Sequence, residues 1–281
     1  MNFIGCESSY NEADIVIFGA PFDGTASYRP GARFGSGAVR NESYAIETYS
    51  PYLDKDLEDL RIYDHGDLEL PFGNAEAALE IIEQYAAQVF ADEKIPVMLG
   101  GEHLVTLGAV RAAAKKYPTL RIIHFDAHTD LRDDYLGEKL SHATVIRRCY
   151  DILGDARIFQ FGIRSGERGE FEWAKTRTRI QKFNFDELAL LAKRLTEFPV
   201  YLTVDLDVLD PSEFCGTGTP EAGGVSFTQL LDAVKTVAGT NIVGFDLVEL
   251  APNLDPSGAS AALACKLLRE MLLMVGGKAN E

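Results

Sequence analysis

The chain has 281 residues, of which 46% are hydrophobic and 25% are charged, and its formal net charge is −16. This composition is that of an ordinary globular protein. The negative charge argues against a nucleic-acid partner and is compatible with a cationic substrate. The chain has no uncharged apolar run of about eighteen residues, and Met1 to Asp14 lack a basic region followed by an apolar run, which argues against a membrane span and a secretion signal.

The cysteines give no sign of a disulfide framework or of a thiolate zinc site. They are Cys6, Cys149, Cys215 and Cys265. They lie far apart and form no C-x-x-C pair, which fits a reducing cytoplasm.

Short apolar runs alternate with longer segments of helical periodicity, a pattern that predicts parallel strands joined by crossover helices. The candidate strands are Ala13–Phe18, Leu60–Tyr63, Pro96–Leu99, Leu120–Phe125, Arg157–Gly162, Ile180–Phe183, Pro199–Val204 and Asn241–Phe245. The main candidate helices are Asn74–Asp92, Ser226–Val237 and Ser260–Met274, the first two beginning with a capping residue. We find no linker or repeat, so residues 1–281 are predicted to form one α/β domain.

The clearest functional pattern is D-A-H-T-D, which follows the fourth candidate strand. Asp126, His128 and Asp130 occupy alternate positions, so a backbone that stays extended would project all three to one side. Two carboxylates and an imidazole held together repel and lose hydration, and a divalent cation removes that cost. Taken alone, the segment could also be a solvated acidic turn.

Similar residues follow other candidate strands. G-G-E-H places His103 after two glycines, which permit a sharp turn, and T-V-D-L-D places Asp205 and Asp207 on one face. The last strand is followed by Asp246 and Glu249. Each residue alone could be a cap, turn or surface residue. Because open parallel sheets bind ligands at the carboxyl ends of their strands, the combination indicates a single metal site.

The predicted donors are four aspartates and two histidines. This set is rich in oxygen and too large for one tetrahedral ion, which favours two ions of octahedral preference, with Mn²⁺ first among them. Four carboxylates balance two dications, and a bridging hydroxide leaves about one negative charge. Such a site would attract a cation, and it would supply a nucleophile because metals lower the pKa of bound water.

These segments resemble the signature motifs of the ureohydrolase family, the arginases, agmatinases and relatives that hydrolyse a guanidino group to urea. G-G-E-H at 100–103, D-A-H-T-D at 126–130 and D-L-D at 205–207 occur in the family's order. Further similar segments are G-A-P-F-D at 19–23, R-P-G-A-R-F-G at 29–35, G-I-R-S at 162–165 and G-T-G-T-P-E at 216–221. The resemblance therefore spreads over most of the chain.

The resemblance implies a three-layer α/β/α sandwich with a parallel eight-stranded sheet, a binuclear manganese centre and a homotrimer or homohexamer. One implied manganese site consists of His103, Asp126, Asp130 and Asp205, and the other of Asp126, His128, Asp205 and Asp207. Asp126 and Asp205 would bridge the two ions.

The resemblance also implies roles for residues outside the ligand motifs. His142 matches the family histidine placed for proton transfer, a task that suits a side chain titrating near neutrality. Glu249 matches the glutamate that binds the guanidinium with two parallel hydrogen bonds, and Thr219 is expected to contact substrate. The implied mechanism is attack of a bridging hydroxide on the guanidinium carbon, followed by departure of the protonated amine.

Within the family the sequence is most similar to bacterial agmatinases, which implies hydrolysis of agmatine to putrescine and urea. Arginases usually carry an Asn where this chain has Arg132, and that Asn helps to bind the substrate carboxylate. Arg132 could itself hold a carboxylate, so arginine and 4-guanidinobutyrate remain alternative substrates. Asp133 and Asp134 could attract an alkylammonium tail or could form a solvated acidic loop.

Two other classes of protein remain open. A metal-dependent deacetylase could use one zinc ion, but it would leave His103, Asp130 and Asp207 without a role. A non-catalytic metal-binding protein would leave His142 and Glu249 unexplained.

Overall fold

The centre of the molecule is a parallel sheet, as seen in a computed structural model that describes residues 1–276. The strands are β1 (Ile15–Ala20), β2 (Tyr49–Ser50), β3 (Lys55–Asp56), β4 (Ile62–Asp67), β5 (Ile95–Gly100), β6 (Arg121–Phe125), β7 (Ile158–Ile163), β8 (Arg179–Lys182), β9 (Pro199–Asp205) and β10 (Asn241–Val248). Eight of them form the sheet, in the order β4-β1-β5-β10-β9-β6-β7-β8. The short strands β2 and β3 pair separately as an antiparallel hairpin.

Helices cover both faces of the sheet. They are α1 (Gly35–Glu42), α2 (Ala75–Ala91), α3 (Thr106–Lys116), α4 (Val145–Leu153), α5 (Arg168–Ala174), α6 (Leu188–Leu195), α7 (Phe227–Ala238) and α8 (Ala259–Gly276). Buried residues of α1, α6, α7 and α8 share one apolar core, and those of α2, α3 and α4 share another. This arrangement confirms the three-layer α/β/α sandwich. None of the helices described is long and apolar enough to cross a lipid bilayer.

The eight candidate strands are all confirmed, with small differences at their ends. The largest difference is in β4, which runs from Ile62 to Asp67 instead of from Leu60 to Tyr63. Asn74 and Ser226 cap α2 and α7, because the side chain of each accepts a hydrogen bond from the backbone N–H group three residues further along the chain. The prediction of a single domain also covers residues 277–281, which lie outside the described residues, and it stays a prediction.

The strand order explains where polar residues meet. Strands β5, β10, β9 and β6 are neighbours in the middle of the sheet, and all of them pair in parallel. Their carboxyl ends therefore lie at one edge, although the segments are distant in sequence. This edge receives the predicted donors, because His103 follows β5, Asp205 ends β9 and Asp126 follows β6.

Candidate metal centre

One group of donors converges on His103; we call it the first half-site. The Nδ1 atom of His103 lies 3.1 Å from Oδ2 of Asp126, 3.2 Å from Oδ2 of Asp130 and 3.3 Å from Oδ2 of Asp205. All four side chains are buried. Ligands that share a cation at about 2.1 Å lie about 3 Å apart in adjacent octahedral positions. The spacing therefore fits four ligands of one ion.

A second half-site surrounds His128. Its Nδ1 atom lies 2.9 Å from Oδ2 of Asp207 and 3.5 Å from Oδ1 of Asp126. Asp126 therefore faces the first half-site with one oxygen and the second with the other. Oδ1 of Asp205 accepts a hydrogen bond from the backbone N of Asp207 at 2.8 Å. The bridging role of Asp205 stays a prediction.

The chemistry of these donors fits bound cations. Within residues 1–276, Nδ1 of His103 and Oδ2 of Asp207 are buried and have no hydrogen-bond partner, a costly situation for polar atoms. Burial, and then the charges of Asp207 and Asp126, raise the pKa of Asp205 well above its ordinary value. Burial and Asp126 raise the pKa of Asp130 to about 7. Cations here would satisfy these atoms and keep the carboxylates ionised.

The backbone that carries D-A-H-T-D does not stay extended beyond the strand. Strand β6 ends at Phe125, and Asp130 adopts a left-handed conformation with φ of 52°. The turn is held by its own donors, since Ala127 N donates to Oδ1 of Asp207 and His128 N donates to Oδ1 of Asp126. The donors of D-A-H-T-D are therefore brought together by a turn, and the extended backbone on which the one-sided arrangement depended is not kept at Asp130.

Residues beneath the cluster orient its histidine. Nε2 of His103 lies 2.9 Å from the Thr203 hydroxyl, so a proton on Nε2 leaves the lone pair of Nδ1 for a cation. Asp246, which the sequence offered as a further donor, is fully buried and accepts a hydrogen bond from the Tyr201 hydroxyl at 2.9 Å. It is not among the residues that line the cavity.

The half-sites form the floor of a cavity of about 330 Å³. The predicted residues that line it are His103, His128, Asp130, His142, Asp205, Thr219 and Glu249. Asp126 and Asp207 lie behind this surface and are fully buried. The structure thus brings every predicted site residue to one place.

Glu249 is held in one position at the wall of the cavity. Its φ is 66°, and conformations this unusual for a residue other than glycine often occur at functional sites. Oε1 accepts a hydrogen bond from His103 N at 2.7 Å, and Glu249 N donates to the Gly101 carbonyl at 2.9 Å. A Cβ on Gly101 would lie 1.9 Å from the Phe22 carbonyl oxygen, so this close approach requires glycine. Burial and Glu102 raise the pKa of Glu249 well above its ordinary value.

His142 also lines the cavity, at the start of a short 3₁₀ turn. Its backbone N donates to the Thr25 hydroxyl at 3.1 Å, and its Nε2 lies 3.2 Å from the Ser27 hydroxyl. Burial lowers the pKa of His142 to about 4, so the ring is neutral at pH 7 and does not titrate near neutrality as we expected. Sequence analysis missed the support from Glu102, whose carboxylate accepts hydrogen bonds from Thr25 N and Oγ1 at 3.0 and 2.6 Å.

The solvent-exposed side of the cavity, which we call its mouth, carries ion pairs. Arg132 has Nη1 3.2 Å from Oε1 of Glu167 and Nε 3.9 Å from Oε2 of Glu170. Its guanidinium carbon lies 4.5 Å from the centre of the Tyr135 ring, within cation–π distance. The positive charge of Arg132 is therefore balanced by carboxylates of the chain itself.

The two acidic residues that follow Arg132 are engaged away from the cavity. Asp133 accepts a hydrogen bond from Nη2 of Arg148 at 2.8 Å, and Asp134 accepts one from Gly137 N at 3.2 Å. Neither lines the cavity. The structure favours a solvated acidic loop over a tail-binding role for both.

Two arginines of the remaining motifs hold loops in place. Arg29 donates hydrogen bonds to the carbonyls of Thr217 and Gly218 at 3.0 Å, next to Thr219. Arg164 donates to the carbonyls of Asp207 and Glu221 at 2.7 and 2.8 Å. Both arginines therefore have a structural role, in which they hold the backbone of neighbouring loops.

Sequence analysis also missed His124, whose Nε2 lies 2.7 Å from Oδ2 of Asp126. The alternation that relates Asp126 and His128 extends backwards to His124 on the same face of β6. This signal could have identified it.

The fold and this strand-edge cluster are those of one class of hydrolase. The sequence model of the Arginase family matches residues 13–274, so the chain belongs to the arginase family. It is 50% identical to the agmatinase of Bacillus cereus over 276 residues, which cover 96% of this chain and 95% of that protein. The solved structure of a proposed agmatinase from Clostridium difficile has a TM-score of 0.94 and 49% identity, covering 96% of this chain and all of that one. The chain is 34% identical to the guanidinobutyrase of Pseudomonas aeruginosa, and the match covers 94% of this chain and 87% of that protein.

Proposed function

We propose that the protein hydrolyses agmatine to putrescine and urea with two manganese ions. The observation that carries this proposal is a cavity with a histidine and aspartate cluster at its floor, Glu249 at its wall and a charge-balanced Arg132 at its mouth. Sequence identity supports it, because the chain is 50% identical to the agmatinase of Bacillus cereus and only 34% identical to the guanidinobutyrase of Pseudomonas aeruginosa. Membership of the arginase family favours this function over a deacetylase.

One ion would be held by His103, Asp126, Asp130 and Asp205. The other ion would be held by Asp126, His128, Asp205 and Asp207. An oxygen-rich donor set of this kind favours Mn²⁺. Bound ions would supply a nucleophile at neutral pH because they lower the pKa of water.

Glu249 would bind and orient the guanidinium. A carboxylate accepts two parallel N–H bonds from this planar cation, and the Glu249 carboxylate is already fixed by His103 N at 2.7 Å. Burial and Glu102 raise the pKa of Glu249, so a bound cation also stabilises its ionised form. The cavity therefore favours a substrate that brings a positive charge.

His142 would move protons at its Nε2 atom. The ring is neutral at pH 7, because burial lowers its pKa to about 4, so it can accept a proton from the attacking water. It would return that proton to the departing amine nitrogen. Ser27, whose hydroxyl lies 3.2 Å from Nε2, is placed to relay it.

The mouth would discriminate between substrate tails. Arginine adds a carboxylate to the agmatine skeleton, and that carboxylate would have to compete with Glu167 and Glu170 for Arg132. A carboxylate left without a partner costs about 2–4 kcal/mol, which corresponds to about a thirtyfold to thousandfold preference for agmatine.

Urea release from agmatine, arginine and 4-guanidinobutyrate tests the proposal in Mn²⁺-loaded enzyme. We expect kcat/KM for agmatine to exceed that for arginine by about thirtyfold to thousandfold. Comparable values, with arginine activity lost selectively in Arg132→Ala, would show that Arg132 binds carboxylates and would overturn the assignment of agmatine as the preferred substrate. Activity on 4-guanidinobutyrate alone would indicate the second candidate, a guanidino acid hydrolase. Absence of urea from all three would favour a non-catalytic protein.

The cytoplasmic location and the trimer or hexamer stay predictions. Light scattering of the purified protein would decide the oligomeric state.

A further inference from the structure

Beneath the carboxylate cluster, neighbouring strands carry polar residues at matching positions. Gln160 on β7 lies opposite His124 on β6, and His124 lies opposite Thr203 on β9. All three side chains are fully buried. Buried polar groups cost free energy unless they are hydrogen-bonded, so the direction of each hydrogen bond carries information.

A backbone carbonyl group determines which atoms donate and which accept in these hydrogen bonds. Nε2 of Gln160 lies 2.8 Å from the Thr129 carbonyl oxygen, which can only accept, so the amide nitrogen must face it. The same Nε2 lies 3.1 Å from Nδ1 of His124. Nδ1 therefore accepts a hydrogen bond, and the proton of the ring is on Nε2. The Thr178 hydroxyl donates to Oε1 of Gln160 at 3.2 Å, which agrees with this orientation.

The proton of His124 points at Asp126. Nε2 of His124 lies 2.7 Å from Oδ2 of Asp126, whose other oxygen accepts from His128 N at 2.6 Å. Each oxygen of Asp126 is thus held by one donor and keeps lone-pair capacity for a cation. The ligand atoms of His103, His124 and Asp126 lie within 4.8 Å of one another, but both nitrogens of His124 are engaged.

We propose that Gln160 and His124 are positioning residues that fix the orientation of Asp126, and that His124 is not a ligand. The inference rests on the proposed function in one respect, namely that Asp126 binds metal. Partners of this kind typically change metal affinity by about 10–100-fold, because they set the orientation and basicity of the ligand.

The tautomer of His124 can be measured directly by ¹⁵N NMR on the full chain, which has five histidines. With Zn²⁺ bound, which is diamagnetic, we expect the proton of His124 on Nε2 in the wild type and in Thr178→Val. Gln160→Met, which removes the amide donors, should allow the Nδ1–H form. A proton on Nδ1 in the wild type, or a metal-bound nitrogen in His124, would overturn the inference.

The affinity for Mn²⁺, measured by competition with a chelator, tests the consequence. His124→Met should weaken binding about 10–100-fold. His124→Gln should stay closer to the wild type, because its amide nitrogen is as many bonds from Cβ as Nε2 of histidine and can donate to Asp126. Equal losses in the two variants would indicate packing alone and contradict the proposal. Neither measurement needs turnover, so absence of urea release would count against the proposed function and leave this inference to be decided separately.

Discussion

The floor and the mouth of the cavity are built in different ways. At the floor, backbone N–H groups hold the carboxylates: His128 N donates to Asp126, Asp207 N to Asp205 and Ala127 N to Asp207. At the mouth, side chains hold one another, as Arg132 and Glu167 do.

This difference separates reaction from selectivity. Donors fixed by backbone in a buried site are preorganised, so small displacements affect both cation binding and transition-state stabilisation. Ion pairs near solvent are weak, so their residues can change with modest effects. We therefore expect floor substitutions to abolish activity and mouth substitutions to alter substrate preference.

The largest effect is expected from Asp126→Ala, because Asp126 faces both half-sites with its two oxygens. Elemental analysis after loading with excess Mn²⁺ should find two ions per wild-type chain, loss of both from this variant and no measurable urea release. Asp205→Ala should behave similarly, and Asp207→Ala should keep one ion.

Asp133→Ala is the matched control, since that aspartate pairs with Arg148 away from the cavity, and it should keep two ions. Equal metal losses from Asp126, Asp205 and Asp207 variants would contradict the bridging roles. A metal content that stays at one ion per wild-type chain in excess Mn²⁺ would contradict the proposal of a binuclear centre.

The next effect in size is expected from His142→Ala. Removal of a general acid–base group lowers turnover about 10²–10⁴-fold, and the metals should remain because His142 is in neither half-site. His65→Ala is the control, since that histidine lies outside the cavity, with its ring centre 4.4 Å from the ring centre of Tyr85. Loss of metal from His142→Ala would instead make His142 a ligand.

The fold and the floor could be predicted because both follow from periodicity. Buried parallel strands appear as continuous apolar runs, and their carboxyl ends must share an edge, so His103, Asp126 and Asp205 could be brought together without coordinates. The hairpin of β2 and β3 escaped prediction because strands of two residues leave no periodic signal.

The rest of the site depends on contacts that a linear sequence does not encode locally. The left-handed conformation of Asp130 depends on the turn around it, and the low pKa of His142 depends on burial between distant loops. Asp133 was a candidate for tail binding until the structure showed its partner, Arg148, fifteen residues away in the chain.

The smallest effect is expected at the mouth, from Glu167→Gln. This change removes the carboxylate nearest Arg132, with Nη1 and Oε1 3.2 Å apart, and leaves the floor untouched. Exposed ion pairs contribute about 0.2–1 kcal/mol, so KM for agmatine should rise by no more than about fivefold with little change in kcat.

The same substitution should raise kcat/KM for 4-guanidinobutyrate, because Arg132 is then available to a substrate carboxylate. The control is Glu172→Gln, where the glutamate pairs with Lys175 on the surface and does not line the cavity. A large fall in kcat for Glu167→Gln would show that the mouth takes part in the reaction itself and would end the distinction between the two regions. If neither Glu167→Gln nor Arg132→Ala changed the relative kcat/KM of agmatine and 4-guanidinobutyrate, this ion pair would not select the substrate. Selection would then be assigned to the loop that carries Thr219.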